Sequence, residues 1–374
     1  MAYRVYLFAG SHPVYRSLVE FPPDNNFEVV SNIPPEAFIN DRLSVYSPMK
    51  NRIRRVGVAL SRLLGLPRVF LPPPGYDLIH SCRGFIPLTK TPSVIDFECV
   101  TSFANMDPVA LQSARRMVLR LLSRPAIKYI LPHSYAAARS VESVFGNAFS
   151  EKMRVVYPAA VPSPCVAHPG SRETFTILFV GKNFRIKGGV ELYRAYKLLS
   201  REYKHMKLVI KSNPDEIPRK IVSDPGVHVI TKILPYQEVL RLYCSADVFV
   251  LPTYMDTFGY VFLEAMAAGL PVIGTDVFAV PEIIQNGYNG FVIHSDIRWH
   301  DDRYLPRKEG LRFGSCAEEH IVNQLVDKIR MLIEDKSLLQ EMSQNAIYLV
   351  TEGKFSIKFR NEVLREIYMS AVSG

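Results

Sequence analysis

The chain is poor in features that mark whole classes of protein. No run approaches the ~18 consecutive apolar residues that a membrane-spanning helix needs. The opening, MAYRVYLFAGSHP, reads as a strand rather than a signal peptide. Cysteine is scarce: five in 374 residues, at 82, 99, 165, 244 and 316, an odd number. None forms a Cys-x-x-Cys pair, so neither a zinc site nor a disulfide framework is indicated, and a reducing cytoplasm is the expected setting. The Walker order Gly-x-x-x-x-Gly-Lys-Ser/Thr is absent. The basic stretches carry aliphatic faces rather than interleaved aromatics, which argues against a platform for single-stranded nucleic acid.

What is present is a globular composition, 48% hydrophobic and 22% charged, at a length that suits two domains, each able to bury a core. The net charge of +9 is uneven. Residues 1–160 hold 19 Lys/Arg against 11 Asp/Glu, and the remainder is nearly balanced. A basic half meets nucleic acid, anionic membranes or phosphorylated substrates.

The most informative stretch is Leu251 to Gly274, LPTYMDTFGYVFLEAMAAGLPVIG. The apolar run ending at Leu251 reads as a buried parallel strand, stopped by Pro252 and Thr253. Phe258 to Ala268 is rich in helix formers and ends at Gly269. The unpaired first amides of such a helix, at Thr257, Phe258, Gly259 and Tyr260, suit a phosphate. Asp256 would lie at the mouth of the site, able to accept from sugar hydroxyls; an N-cap role is the plainer alternative. Glu264 sits inside an apolar helix, where a carboxylate is costly without partners. A ribose diol offers two donors.

This stretch resembles the acidic-x7-Glu signature of glycosyltransferase family 4, with Asp256 where the family usually has Glu. The resemblance implies two Rossmann-like domains, a nucleoside-diphosphate sugar as co-substrate, transfer with retention, and no required metal.

Along the chain, Tyr3 to Ala9 is a strand, and the loop after it carries His12, either an acceptor contact or a surface histidine. Pro48 to Leu66 and Pro108 to Arg124 read as amphipathic helices with Lys50, Arg52, Arg54, Arg55 and Arg62, and Arg115, Arg116, Arg120 and Arg124, on their charged faces. They are either ordinary solvated helices or docking elements for an anionic bilayer. Strands over Tyr76–His80 and Ser93–Phe97 end in loops carrying Arg83, Asp96 and Glu98. These are acceptor-side candidates because loops at the carboxyl ends of parallel strands line ligand clefts. Each is otherwise a structural ion pair. Further strands are expected over Lys128–Leu131 and Arg154–Tyr157, with a helix over Ser134–Phe145 between them. A Pro-rich segment, Pro158 to Pro164, resembles the family hinge.

The second half opens with a strand over Phe175–Val180 and the loop Gly181-Lys182-Asn183-Phe184-Arg185-Ile186-Lys187-Gly188-Gly189. Glycines between strand and helix suit a phosphate loop. The segment resembles the family's Gly-Arg-x4-Lys-Gly: Lys187 matches, Lys182 stands for the Arg, and Arg185 is placed to compensate. Together Gly181, Lys182, Arg185, Lys187 and the helix amides would hold the diphosphate, and Glu282 fits the family pattern as either a structural or a catalytic residue.

The expected architecture is therefore α/β, with two Rossmann-like domains whose parallel sheets face an interdomain cleft: acceptor-binding over 1–164, donor-binding over 165–354, and a last helix over 355–374 returning to the first. The resemblance implies hexosyl transfer from a UDP- or GDP-sugar to a glycan or lipid-linked acceptor, cytoplasmic or peripheral on the membrane. The competing readings are a nucleotide-sugar 2-epimerase of the same architecture and a basic nucleic-acid-binding protein.

Overall fold

The structure, a computed structural model, describes residues 2–9, 13–33, 56, 58–59, 62–307 and 318–374. Its central strands, such as Leu78–Ser81, Ser93–Phe97, Val248–Leu251 and Val272–Thr275, are short and buried along their whole length, so they are stable only between layers of helix. Among the described residues three all-parallel sheets result, of five, six and two strands, and the chain divides into two compact units.

The first unit takes residues 1–159, 300–308 and 354–374. It begins with β1 (Tyr3–Phe8), α1 (Pro13–Glu20), β2 (Phe27–Ser31), β3 (Val69–Phe70), β4 (Leu78–Ser81), β5 (Ile86–Pro87) and β6 (Ser93–Phe97). Then come α2 (Pro108–Leu122), β7 (Ile127–Pro132) and α3 (Tyr135–Phe145). The main sheet runs β2-β1-β4-β6-β7, and β3 pairs with β5 beside it. The order reverses between β1 and β4, the crevice where open α/β sheets take ligands. Local chemistry sets the helix starts. Asp107 accepts from the Ala110 amide at 2.7 Å with Pro108 in the first turn, and Ser134 Oγ accepts from the Ala137 amide at 3.0 Å.

The second unit takes residues 160–299 and 309–353. Its elements are β8 (Phe175–Val180), α4 (Gly189–Glu202), β9 (Met206–Lys211), α5 (Arg219–Val222), β10 (Val227–Ile230), α6 (Tyr236–Cys244), β11 (Val248–Leu251), α7 (Tyr260–Ala267), β12 (Val272–Thr275), α8 (Val280–Ile283), β13 (Gly290–Ile293), α9 (Glu319–Glu334) and α10 (Lys336–Thr351). The strand order β10-β9-β8-β11-β12-β13 is that of a dinucleotide-binding sheet, and its switch point falls between β8 and β11. Helix α9 packs on α4, and α10 on α7. The last helix, α11 (Ile357–Ser373), belongs to the first unit. Its Arg360 is buried and donates to Ser17 Oγ at 2.5 Å and to the Phe21 carbonyl at 2.9 Å. With no carboxylate opposite among the described residues, burial lowers its pKa to about 10.

The structure differs from the sequence reading in three places. The expected strand over Arg154–Tyr157 is absent. The segment is extended, with amides of Arg154 and Val156 donating to Ile130 and Pro132 at 3.0 Å, but Pro132 has no N–H to return the bond and no ladder forms. Secondly, Cys165 and Cys244 form a disulfide across 79 positions, which counting cysteines did not indicate. Cys82 and Cys99 are free and buried. Thirdly, the helix expected over Phe258–Ala268 starts two residues later, at Tyr260, because Gly259 takes φ +101° as its N-cap. The helix expected over Pro48–Leu66 lies mostly outside the described residues, as do Lys50, Arg52, Arg54, Arg55 and His12. Among the described residues no helix is long and apolar enough to cross a membrane.

Candidate functional site

At the switch point of the second unit two loops meet, one after β8 and one after β11. The first turns at Gly188, φ +75°, where a Cβ would lie 2.1 Å from the Pro252 carbonyl oxygen of the second loop. The Tyr254 amide then donates to the Ile186 carbonyl at 2.9 Å. This close approach aims Lys187 at the acidic loop. Its Nζ donates to Asp256 Oδ2 and to the Met255 carbonyl, both at 2.7 Å. The two side chains are 20% and 15% exposed, so the pair is partly desolvated yet open to solvent on one side. Lys182 is exposed on the same loop, and its carbonyl accepts from Ser212 Oγ and the Asn213 amide. Arg185 is half-buried and lies close enough to Glu191 and Tyr254 to act on both electrostatically.

Asp256 is not an N-cap, since Gly259 caps α7 without a side chain. Its Oδ1 instead accepts from the Phe258 amide at 3.3 Å, so one of the amides assigned to a phosphate already has a partner. The Asp256 carbonyl accepts from Trp299 Nε1 at 3.1 Å, and the Trp299 ring lies 5.0 Å from Phe278. The irregular stretch after β13 therefore fixes the acidic loop from behind, a role with no signal in the sequence beyond the lone Trp.

Glu264 is 4% exposed. Its Oε1 accepts from Tyr236 OH at 3.2 Å and its Oε2 from Tyr243 OH at 2.9 Å. The tyrosines lie seven residues apart on α6, two turns along one face. Sequence reasoning missed them, although that spacing was the available clue. Glu282 is half-buried on the single turn α8.

In the first unit Asp96, on β6, collects partners from both neighbouring strands. His80 Nε2 of β4 lies 3.3 Å from Oδ2, and His133 Nε2, just beyond β7, lies 3.4 Å from Oδ1. The Arg83 amide donates to Oδ1 at 2.8 Å, and Tyr15 OH reaches the same oxygen at 3.4 Å. Behind, His80 Nδ1 lies 2.5 Å from Tyr368 OH. Asp96 is 5% exposed, and burial pushes its pKa up. The two imidazoles outweigh that and hold it well below the usual carboxylate range. Burial pulls the His133 pKa down, and Asp96 opposite more than restores it, so the net direction is upward. A cavity of about 30 Å³, room for roughly two waters, opens among Tyr15, His80, Asp96, His133, Tyr157 and Arg360. Arg83 itself is exposed, its backbone at φ +60°, and Glu98 is half-buried one residue past β6.

Among the described residues, His80, Cys82 and Asp96 are the one group spaced like metal ligands, within 4.8 Å of one another. Burial, with Asp96 beside it, raises the Cys82 pKa well above normal. The sulfur therefore stays a thiol that donates to the carboxylate rather than a thiolate ligand.

Residues 174–299 match the family model for glycosyl transferases group 1. The capsular polysaccharide biosynthesis glycosyltransferase CapM of Staphylococcus aureus is 28% identical over 208 residues, 54% of this chain and 47% of CapM. The D-inositol 3-phosphate glycosyltransferase of Corynebacterium aurimucosum is 31% identical over 134 residues, 33% of this chain and 32% of that protein. The chain thus spans half or less of the length of these relatives. Among solved structures, Anabaena HepE in complex with UDP and glucose superposes with a TM-score of 0.60 at 15% identity, covering 99% of this chain and 100% of HepE. Residues 174–299 are therefore similar to the group 1 glycosyltransferases, and the α/β fold of the chain is that of HepE.

Proposed function

We propose that the protein moves a hexose from a UDP- or GDP-sugar to an acceptor hydroxyl, with retention at the anomeric carbon. The carrying observation is the Lys187–Asp256 pair, held at the switch point by loops so close that glycine is required at 188. In this reading the C1–O bond to the diphosphate breaks and a C1–O bond to the acceptor forms on the same face. The acceptor proton passes to the departing diphosphate. Lys187, Lys182 and Arg185 offset the charge that grows on that leaving group, the electrostatic kind of catalysis. Asp256 accepts from a sugar hydroxyl and Glu264 from the ribose diol. A UDP donor is supported by HepE, solved with UDP and glucose. Asp96, kept ionised by two imidazoles, is the candidate for orienting the acceptor hydroxyl, with Arg83 and Glu98 at its rim.

An anionic membrane surface as a partner finds support in the first unit. Leu63 and Leu71 are 80% and 79% exposed, near the exposed Leu64, Leu66 and Val69, in the half of the chain that carries the excess positive charge. The apolar stripe of α2 gives less support, because Leu111, Ala114 and Val118 are buried. Its Arg115 is also engaged, with the Val144 carbonyl, as is Arg124 two residues beyond its end, with the carbonyls of Pro87 and Thr89.

The test is transfer from labelled UDP- and GDP-hexoses to a panel of glycan and lipid-linked acceptors, with the product linkage read by NMR. Glu264→Ala and Lys187→Ala are each expected to cut transfer at least ~100-fold, the scale of one lost transition-state contact. Near-normal turnover in either variant would refute the site, and donor isomerised without any acceptor would replace transfer with epimerisation.

A further inference from the structure

Two features of the second unit have no part in the reading above: the tyrosines on Glu264 and the disulfide. They lie next to one another. Tyr243 donates to Glu264 Oε2 at 2.9 Å, and the next residue, Cys244, ends α6 in its bond to Cys165. On the other side, Cys165 opens a segment whose Ala167 amide donates at 2.7 Å to the carbonyl of Ala268, the C-cap of α7. Helix α7 carries Glu264. The disulfide therefore closes a ring: α6, Cys244, Cys165, Ala167, Ala268, α7, Glu264 and back through the Tyr243 hydroxyl. The Tyr243–Glu264 hydrogen bond thus joins the end of α6 to α7 directly, and the disulfide joins the same end to α7 through Ala167 and Ala268.

We propose that Tyr243, with Tyr236, is a positioning residue for Glu264, and that the Cys165–Cys244 bond sets the helix bearing both. The second unit then binds ribonucleotide more tightly when the bond is formed. The inference rests on the reading of Glu264 as the ribose acceptor. A carboxylate has about four acceptor sites, so it can take both tyrosine hydroxyls and a diol. Fixing its plane in advance removes the cost of ordering it when the ligand arrives. Both cysteines are half-buried, within reach of a small thiol. A dithiol such as dithiothreitol transfers two electrons: the protein S–S bond breaks, each sulfur gains a proton, and the reagent closes to its own cyclic disulfide. Arg172 Nη2 still holds the Cys244 carbonyl at 2.9 Å, so reduction loosens the end of α6 without releasing it.

The experiment is calorimetric titration of the full chain with UDP, GDP and their 2′,3′-dideoxy forms. It uses the oxidised protein, the protein after dithiothreitol, the Cys165→Ser/Cys244→Ser double variant, and Tyr243→Phe. Mass spectrometry of alkylated peptides confirms the state of Cys165 and Cys244. In the oxidised protein the ribonucleotide should bind at least about tenfold more tightly than its dideoxy form, the scale of a hydrogen bond to a charged group. After reduction, and in both variants, the ribonucleotide should weaken by roughly three- to tenfold while the dideoxy form stays within about twofold. A merely structural role would weaken both alike, and that result overturns the proposal. So does a preference for ribose that ignores reduction and Tyr243→Phe, or a protein purified without reductant in which both thiols are already free. Equal binding of ribo and dideoxy forms by the oxidised protein would instead overturn the reading of Glu264 itself. Failure of both UDP and GDP to bind would overturn the donor reading and, with it, this one.

Discussion

Replacing Lys187 with Ala removes an ammonium that contacts Asp256 Oδ2 and the Met255 carbonyl at 2.7 Å each. At an effective dielectric near 20, a full charge about 4 Å from that ammonium is worth ~4 kcal/mol. The side chain is 20% exposed, and solvent screening trims this to about 3 kcal/mol, a little over 100-fold in rate. The folded state should lose only about 1 kcal/mol, because the ion pair is partly solvated and Asp256 keeps the Phe258 amide. Activity should thus fall far more than stability. The assay is single-turnover transfer from the cognate donor, beside urea unfolding, for Lys187→Ala, Asp256→Asn and the double variant. If the pair acts as a unit, the double variant should be no worse than the poorer single variant. Turnover of Lys187→Ala within tenfold of the parent, or losses that multiply in the double variant, would sink the argument that this pair meets the leaving group.

Other expectations follow from the same geometry. Gly188→Ala sets a Cβ 2.1 Å from the Pro252 oxygen at φ +75°, and should cost about 2–3 kcal/mol in urea unfolding as the two loops separate. The Asp96–His133 pair makes stability pH-dependent in opposite directions. The depressed Asp96 contributes above its unfolded value near ~3.9, and this is lost as pH falls through the lower folded value. The raised His133 contributes fully below ~6.5, and this is lost as pH rises through the higher folded value. The pair's contribution should therefore peak between about pH 4 and 6.5, and the parent should lose more than His133→Gln when unfolding is compared at pH 5 and at pH 8. Sedimentation with anionic and neutral vesicles at low salt should show stronger binding to the anionic ones, weakened by Leu63→Ser/Leu71→Ser; equal binding to both would remove the membrane from the reading.

How far this was legible in the sequence depended on whether partners were near one another in the chain. The strand, loop and helix around β11 were legible, because Asp256, Gly259 and Glu264 sit close together in the chain between and within elements of clear pattern. Lys187 was legible by its own glycines, though not its contact with Asp256, which depends on β8 lying beside β11 in the sheet. The histidines on Asp96 were hidden for the same reason: β4 and β7 flank β6 only once the strand order is known. β6 itself carries no histidine, yet two reach its carboxylate from the sides. Tyr236, Tyr243 and the disulfide were missed because tertiary packing, not local pattern, brings α6 against α7. The Arg154–Tyr157 strand failed on a single proline, since extended backbone is not a ladder unless both chains can donate.

The return of α11 to the first unit bears on how the protein is made. Arg360 reaches Ser17 and Phe21, and Tyr368 reaches His80 beneath Asp96, so that unit lacks two of its internal ties until residue 368 has left the ribosome. The second unit has all its strands and helices by residue 351. The Asp96 cluster therefore gains its Tyr368 tie only after the strands and helices described in the second unit have all been synthesised.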